Sequence, residues 1–319
     1  MASENSLPPG FQDMLAFGLV EALMGRRARR FFMGAEIPDG VFAYKSRHRP
    51  VPLSELEKLL VVTACGGNTG WHHLIHRAKL YAPHLSNYAA AAGGRSFPSA
   101  AGIEQFKHLV NVENTWPLTF VEQWSLTEVT AELSTSCYAG ALMLQAMGLG
   151  GWMFNGMDPF SVLGASGNPA VPGLGFRFDA DERWPYPNPT GLTSVMEGYC
   201  PPHFRDMRAA VDALCERKFG PGGPFHPDTP GPWKESRKIR SAAPVHSEEF
   251  KECVALQAQY IFDRFGKFPG TVPSVVATIY LQAHHLDLEF YDAFYKPGAY
   301  LRTHAEHMAR WHGAAGYQI

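Results

Sequence analysis

Apolar positions recur at helical spacing through Phe11, Met14, Leu15 and Leu19, continue with Val20 and Leu23, and stop at the basic run Gly25-Arg26-Arg27-Ala28-Arg29-Arg30. That pattern predicts an amphipathic helix running into a basic loop. In Pro52-Leu53-Ser54-Glu55-Leu56-Glu57-Lys58-Leu59-Leu60, Ser54 is placed as an N-cap and Glu57 as its capping-box partner. Leu56, Leu59 and Leu60 then form the apolar face of the second helix. The β-branched and aromatic content of Phe106 to Val112 and of Trp116 to Val121 predicts a pair of strands. Leu133 to Met157 carries no charged residue. It predicts a buried helix that ends in the run Gly148-Leu149-Gly150-Gly151.

Between Asp158 and Pro202 the chain is crowded with Pro and Gly, which predicts an ordered, irregular covering loop. Helical spacing returns through Met207, Val211 and Leu214. The breakers from Gly220 to Pro232 then mark a boundary, followed by a helix over 248–265, a Pro-bounded stretch to about 288 and a last helix over 303–312. The organisation read from this is a first domain over 1–218, a Pro/Gly-rich linker over 219–246 and a helical, His-rich extension over 247–319.

Composition narrows the class. The chain has 319 residues, 45% of them hydrophobic and 13% aromatic, enough for a sizeable packed core. Its 28 basic and 30 acidic residues give a formal net charge of -2, so no global field draws it to nucleic acid or an anionic membrane. Any anion site must be local. Five scattered cysteines without a CxxC pair fit neither a disulfide framework nor a zinc knuckle and point to a reducing cytoplasm. The polar N-terminus lacks the features of a signal peptide, and the uncharged helix is too short for a comfortable membrane span.

Two basic segments can neutralise phosphate, because guanidinium forks match phosphate oxygens: Gly25 to Arg30, and Lys45-Ser46-Arg47-His48-Arg49. Gly93-Gly94-Arg95-Ser96-Phe97-Pro98-Ser99-Ala100-Ala101-Gly102 is a different kind of segment, bare enough for another group to approach its backbone. The order of these pieces carries a resemblance: the arginine run, the PLSELEKLL helix, the GRSFPSAAG loop, the helix closing in GLGGW, then Glu197-Gly198-Tyr199-Cys200-Pro201-Pro202 before a basic helix. In that order, over residues about 20–218, the chain resembles the flavin-dependent nitroreductase superfamily, especially its thiazoline-oxidase-like branch.

The resemblance implies an α+β fold, an antiparallel-rich sheet surrounded by helices, in an intertwined homodimer that binds FMN and runs a ping-pong redox cycle on a small, aromatic or conjugated organic substrate. Carried over by position, Arg26, Arg27 and Arg29, or alternatively Arg47, would meet the FMN phosphate. Pro98, Ser99 and Ala100 would line the ring, Gly148, Gly150 and Gly151 would lie near the flavin, and Arg205 or Arg208 would supply the later basic position. No catalytic residue is assigned. A GxGxxG fingerprint is missing, so no Rossmann site for a nicotinamide cofactor is indicated.

The C-terminal region carries a second chemical signal. His284, His285, Asp287, His304 and His307, with His312 nearby, concentrate imidazoles and a carboxylate in a short span. His304 and His307, three apart on a predicted helix, can face one ion, so a metal-dependent hydrolase or oxygenase is the alternative reading. Core or interfacial histidines are the competing explanation, and no metal is included in the site assignment. His72 and His76 sit at i, i+4 spacing and read as a packed helix start or a pocket wall; Cys137 reads as a free buried thiol. A third alternative is a flavin-fold protein that binds without catalysing.

Overall fold

The computed structural model describes residues 7–66, 102–109 and 118–313, apart from 157, 180, 185, 269 and 271–277. Two short helices, α1 (Pro9–Leu15) and α2 (Leu19–Gly25), replace the single N-terminal helix, because the chain is extended at Gly18. Strands β1 (Glu36–Ile37) and β2 (Tyr44–Lys45) pair antiparallel. Helix α3 (Glu55–Gly66) starts at the capping box read from sequence: Ser54 N donates to Glu57 Oε2 at 2.6 Å and Glu57 N to Ser54 Oγ at 3.3 Å. Its buried stripe is nevertheless Glu57 and Val61, one helical turn apart, while Leu59 is 61% exposed.

A 3₁₀ turn spans Ile103–Phe106, and helix α4 runs over Leu118–Met147. The strands expected over 106–112 and 116–121 are therefore corrected where the chain is described. Buried Leu118 and Glu122 are a helical turn apart; Leu118 packs with Ile261, and Glu122 Oε1 accepts from Gly270 N at 2.7 Å. The uncharged helix starts before Leu133, at Leu118, and ends at Met147, just before the glycine run where the sequence places its end. Gly148 ends it at φ +84, a left-handed conformation that favours glycine, with Gly148 N and Leu149 N both donating to Leu144 O at 2.9 Å. The chain then enters β3 (Gly150–Phe154).

The Pro/Gly-rich stretch contains regular elements: α5 (Pro159–Leu163) and an antiparallel sheet of β4 (Arg177–Asp179), β5 (Asn188–Leu192) and β6 (Met196–Glu197). Helices α6 (Met207–Phe219), capped by Asp206, α7 (Ser236–Ser241) and α8 (Glu248–Phe265), capped by Ser247, follow. Strand β7 (Tyr280–His284) pairs antiparallel with β3, Gly150 opposite His284 and Phe154 opposite Tyr280. The chain closes with α9 (Leu288–Phe294), α10 (Arg302–His307) and a π-helical turn over Met308–His312. The architecture is a mixture of helices with small antiparallel sheets. No helix among the described residues is long and apolar enough to cross a membrane.

Two compact units account for the contacts. They group the chain differently from the linear division at 219–246: the first unit takes residues from 1–68, 130–156 and 279–319, so the C-terminal helices pack with the N-terminal ones. Its core joins Met14, Val61, Leu144, Met147 and Leu149, with a second cluster of Phe31, Leu286, Phe290 and Tyr291. The second unit, from 69–129 and 157–278, has its own clusters, including Ile103, Phe106 and Cys253, and Cys200, Met207, Ala210 and Ala258.

Candidate functional site

Within the first unit the arginine run and the glycine-rich end of α4 meet through the backbone. Gly151 N donates to Arg29 O at 3.0 Å, and a second bridge joins Phe32 to Leu286. The run thereby becomes an edge beside β3 and β7. Its outer face lines a cavity of about 610 Å³, bounded by residues of 27–32, by Glu36, Ile37 and Phe42, and by Phe290, Tyr291 and Tyr295. The floor is a buried stack of Phe31 on Phe290, centroids 4.0 Å apart. The rim holds Phe32, Phe42 and Tyr295, at 36%, 43% and 48% exposure. Apolar rings left open around a concave site suit a flat ligand.

The arginines divide by role. Arg29 is buried and fully engaged: its guanidinium donates to Gln145 Oε1 at 2.7 Å, Ala299 O at 2.8 Å and Gly25 O at 3.0 Å, and burial brings its pKa down to about 10. It ties segments together. Arg27 and Arg30 are exposed on the cavity wall. Arg27 reaches only local carbonyls, Met24 O and Arg26 O, while the Arg30 guanidinium lies over the Trp152 ring at 5.1 Å. Arg26 bonds Leu23 O and sits 6.0 Å from the Tyr138 ring centroid. Glu36, the one acidic group among the described lining residues, is paired with Lys45 at 2.9 Å.

Other expected positions are elsewhere or engaged. Arg47 lies 3.6 Å from Glu289 on an exposed surface. Gly148 packs against Thr303 O and Gly151 against Gln282 O, while Gly150 packs against the Leu286 side chain, so close packing accounts for the bareness of all three. Arg205 and Arg208 belong to the second unit: Arg205 pairs with Asp206, and Arg208 with Asp212 and Glu248, which raise its pKa. Pro98, Ser99, Ala100, His72 and His76 lie outside the described residues. Cys137 is a buried free thiol whose pKa burial raises.

The histidines resolve into separate groups. His285, His307 and His312 direct their Nε2 atoms at one oxygen, Glu57 Oε1, at 3.1, 2.8 and 3.0 Å. Burial by itself would raise the Glu57 pKa, but the three imidazoles and the Ser54 amide hold the carboxylate far below its usual range. His304 does another job: its Nδ1 accepts from Leu301 N at 3.1 Å at the start of α10. His284 Nε2 donates to Arg29 O at 3.0 Å, and Asp287 caps α9 through Phe290 N. Sequence reasoning named His285 and His307 but missed Glu57. The signal was Glu57 standing four residues before buried Val61, on the core stripe of α3.

Buried His304 gives the fold a pH dependence. Burial, then the charge of Arg29, lowers its pKa to about 3, against about 6.5 in an unfolded chain. Below about pH 6.5 the unfolded chain therefore takes up a proton that the folded one refuses, and stability is lost as pH falls towards 3. Urea unfolding of chelator-treated protein is expected to show a steep loss between pH 6 and 4. His304→Gln should reduce that slope by about 1.4 kcal/mol per pH unit; equal slopes would contradict the assignment.

The chain matches no protein-family profile, no curated protein and no solved structure.

Proposed function

We propose that the protein is an FMN-dependent oxidoreductase of nitroreductase-like fold, acting as a homodimer on a small aromatic or conjugated substrate. The observation that carries this reading is the cavity wall itself. Of the segment on which the resemblance places the phosphate contact, Arg27 and Arg29, with the neighbouring Arg30, line a cavity of about 610 Å³ together with several aromatic side chains. Ligand sites of drug or cofactor size fall in this volume range. The donor set fits the group: exposed guanidinium groups for a phosphate dianion, and half-exposed rings for a planar heterocycle. Arg29 is excluded from the clamp because its guanidinium is occupied.

In this reading Arg27 and Arg30 would hold the phosphate, Phe32, Phe42 and Tyr295 would offer apolar contact to the ring system, and the buried Phe31–Phe290 stack would help exclude water. A flavin held here supplies two-electron transfer between an organic donor and an acceptor. An absorbance spectrum of the purified protein tests the cofactor assignment: flavin bands released as FMN on denaturation are expected. Protein that is colourless and stays so after incubation with FMN would remove the reading.

A further inference from the structure

The Glu57 cluster is not used by the flavin reading and makes an independent case. His285 Nδ1 lies 2.9 Å from Val51 O, and His307 Nδ1 lies 2.8 Å from Met147 O. A carbonyl oxygen only accepts, so both Nδ1 atoms carry the hydrogen. The neutral form of each ring then turns the Nε2 lone pair towards a carboxylate oxygen, itself an acceptor. Consistent with this, His307 Nε2 is buried, in a residue only 3% exposed, and finds no hydrogen-bond partner although Glu57 Oε1 is 2.8 Å away. Electron pairs converging there call for positive charge between them, either a metal ion or added protons on the rings.

We propose that Glu57 Oε1 and the Nε2 atoms of His285, His307 and His312 bind one divalent first-row transition metal, with zinc the ion that best suits the set. The four atoms lie within 4.8 Å of one another, close enough for a modest expansion to seat an ion with metal–ligand distances of about 2.0–2.1 Å. Three imidazoles and one carboxylate form a nitrogen and oxygen donor set preferred by zinc and its neighbours over magnesium or calcium. The outer contacts have the form that metal ligands use: Nδ1–H to backbone carbonyls fixes two imidazoles, and Ser54 N holds Glu57 Oε2. The ligands come from α3, the end of β7, α10 and the π-turn. Metal binding would fasten the N-terminal and C-terminal segments of the first unit together, with the partly exposed His312 as the entry side.

The test strips the full chain with a chelator and titrates it with Co2+ or Zn2+ alone. One ion per chain is expected, the cobalt form showing the intense visible bands of a four-coordinate site, bleached by Zn2+. His312→Ala should weaken Zn2+ binding at least about 10-fold, while His108→Ala, at an exposed histidine of the second unit, leaves it unchanged. Should His312→Ala fail to fold, X-ray absorption of the zinc-loaded wild type decides: three imidazoles and one oxygen are expected. No binding above trace would mean a protonated His–Glu network and would overturn the proposal. Unweakened binding in folded His312→Ala, sulfur ligation or fewer than three imidazoles would overturn it as well.

Discussion

Replacing Glu57 with alanine is expected to cost about 3–5 kcal/mol of stability in chelator-treated protein, the range for removing one partner from a buried charged network. Two separate contacts are lost. Oε2 leaves the Ser54 amide without its capping partner, a loss of about 1 kcal/mol at a typical helix start. Without a metal the carboxylate is held by protons on the imidazoles that face it, so losing Oε1 leaves buried imidazolium charge with no counter-charge. Glu57→Gln keeps the shape and can still accept from Ser54 N, so it should recover the capping share but not the rest. Denaturant midpoints measure both variants. A loss below about 1 kcal/mol for the alanine variant would show that the carboxylate is only a helix cap.

The second large effect separates two arginines that look equivalent in sequence. Arg29→Met is expected to lose about 3 kcal/mol or more, because Gln145 Oε1, Ala299 O and Gly25 O each lose a charged donor in or near the interior. Arg27→Met, on the exposed cavity wall, should leave stability within about 0.5 kcal/mol of wild type. Its cost should instead appear in cofactor affinity. Equal stability of the two variants would remove the structural role given to Arg29.

What was legible in the sequence was mostly helix starts. Ser54 with Glu57 caps the helix that the pattern places there, and the helix expected over 248–265 spans those residues, although its Ser247 cap and the Asp206 cap of α6 were not read from the sequence. Short polar side chains before an apolar run act locally, and local interactions survive translation into structure. The strand expected over 116–121 is helical from Leu118, and the face read for α3 includes Leu60, which packs on the core, but omits the buried Glu57. In both cases a buried carboxylate stands on the core stripe and interrupts the apolar periodicity that would have revealed it. A charged residue is read as solvent-facing unless its partners are known, and those partners, Gly270 N and the three histidines, are remote in the chain.

The histidine cluster was half legible for a geometric reason. Three-residue spacing placed His304 with His307 on one helical face, but α10 ends at His307 and a π-helical turn follows. In a turn with i→i+5 bonding, positions five apart come to the same side, which brings His312 beside His307, ring centroids 5.6 Å apart. His304 is left to the helix start. The arginine run was legible as a basic segment, yet which guanidinium faces a cavity and which is buried depends on the bridge to Gly151, a contact across the fold.

The most direct test of the central claim is a titration of FMN, followed by quenching of its fluorescence, against wild-type protein and an Arg27→Ala/Arg30→Ala variant. Saturable binding of one FMN per chain is expected, weakened by about 10–100-fold in the variant, as the loss of charged hydrogen bonds of about 1.5–3 kcal/mol requires. Absence of saturable binding, or equal affinity in the two proteins, would contradict the assignment of the arginine-lined cavity to a flavin.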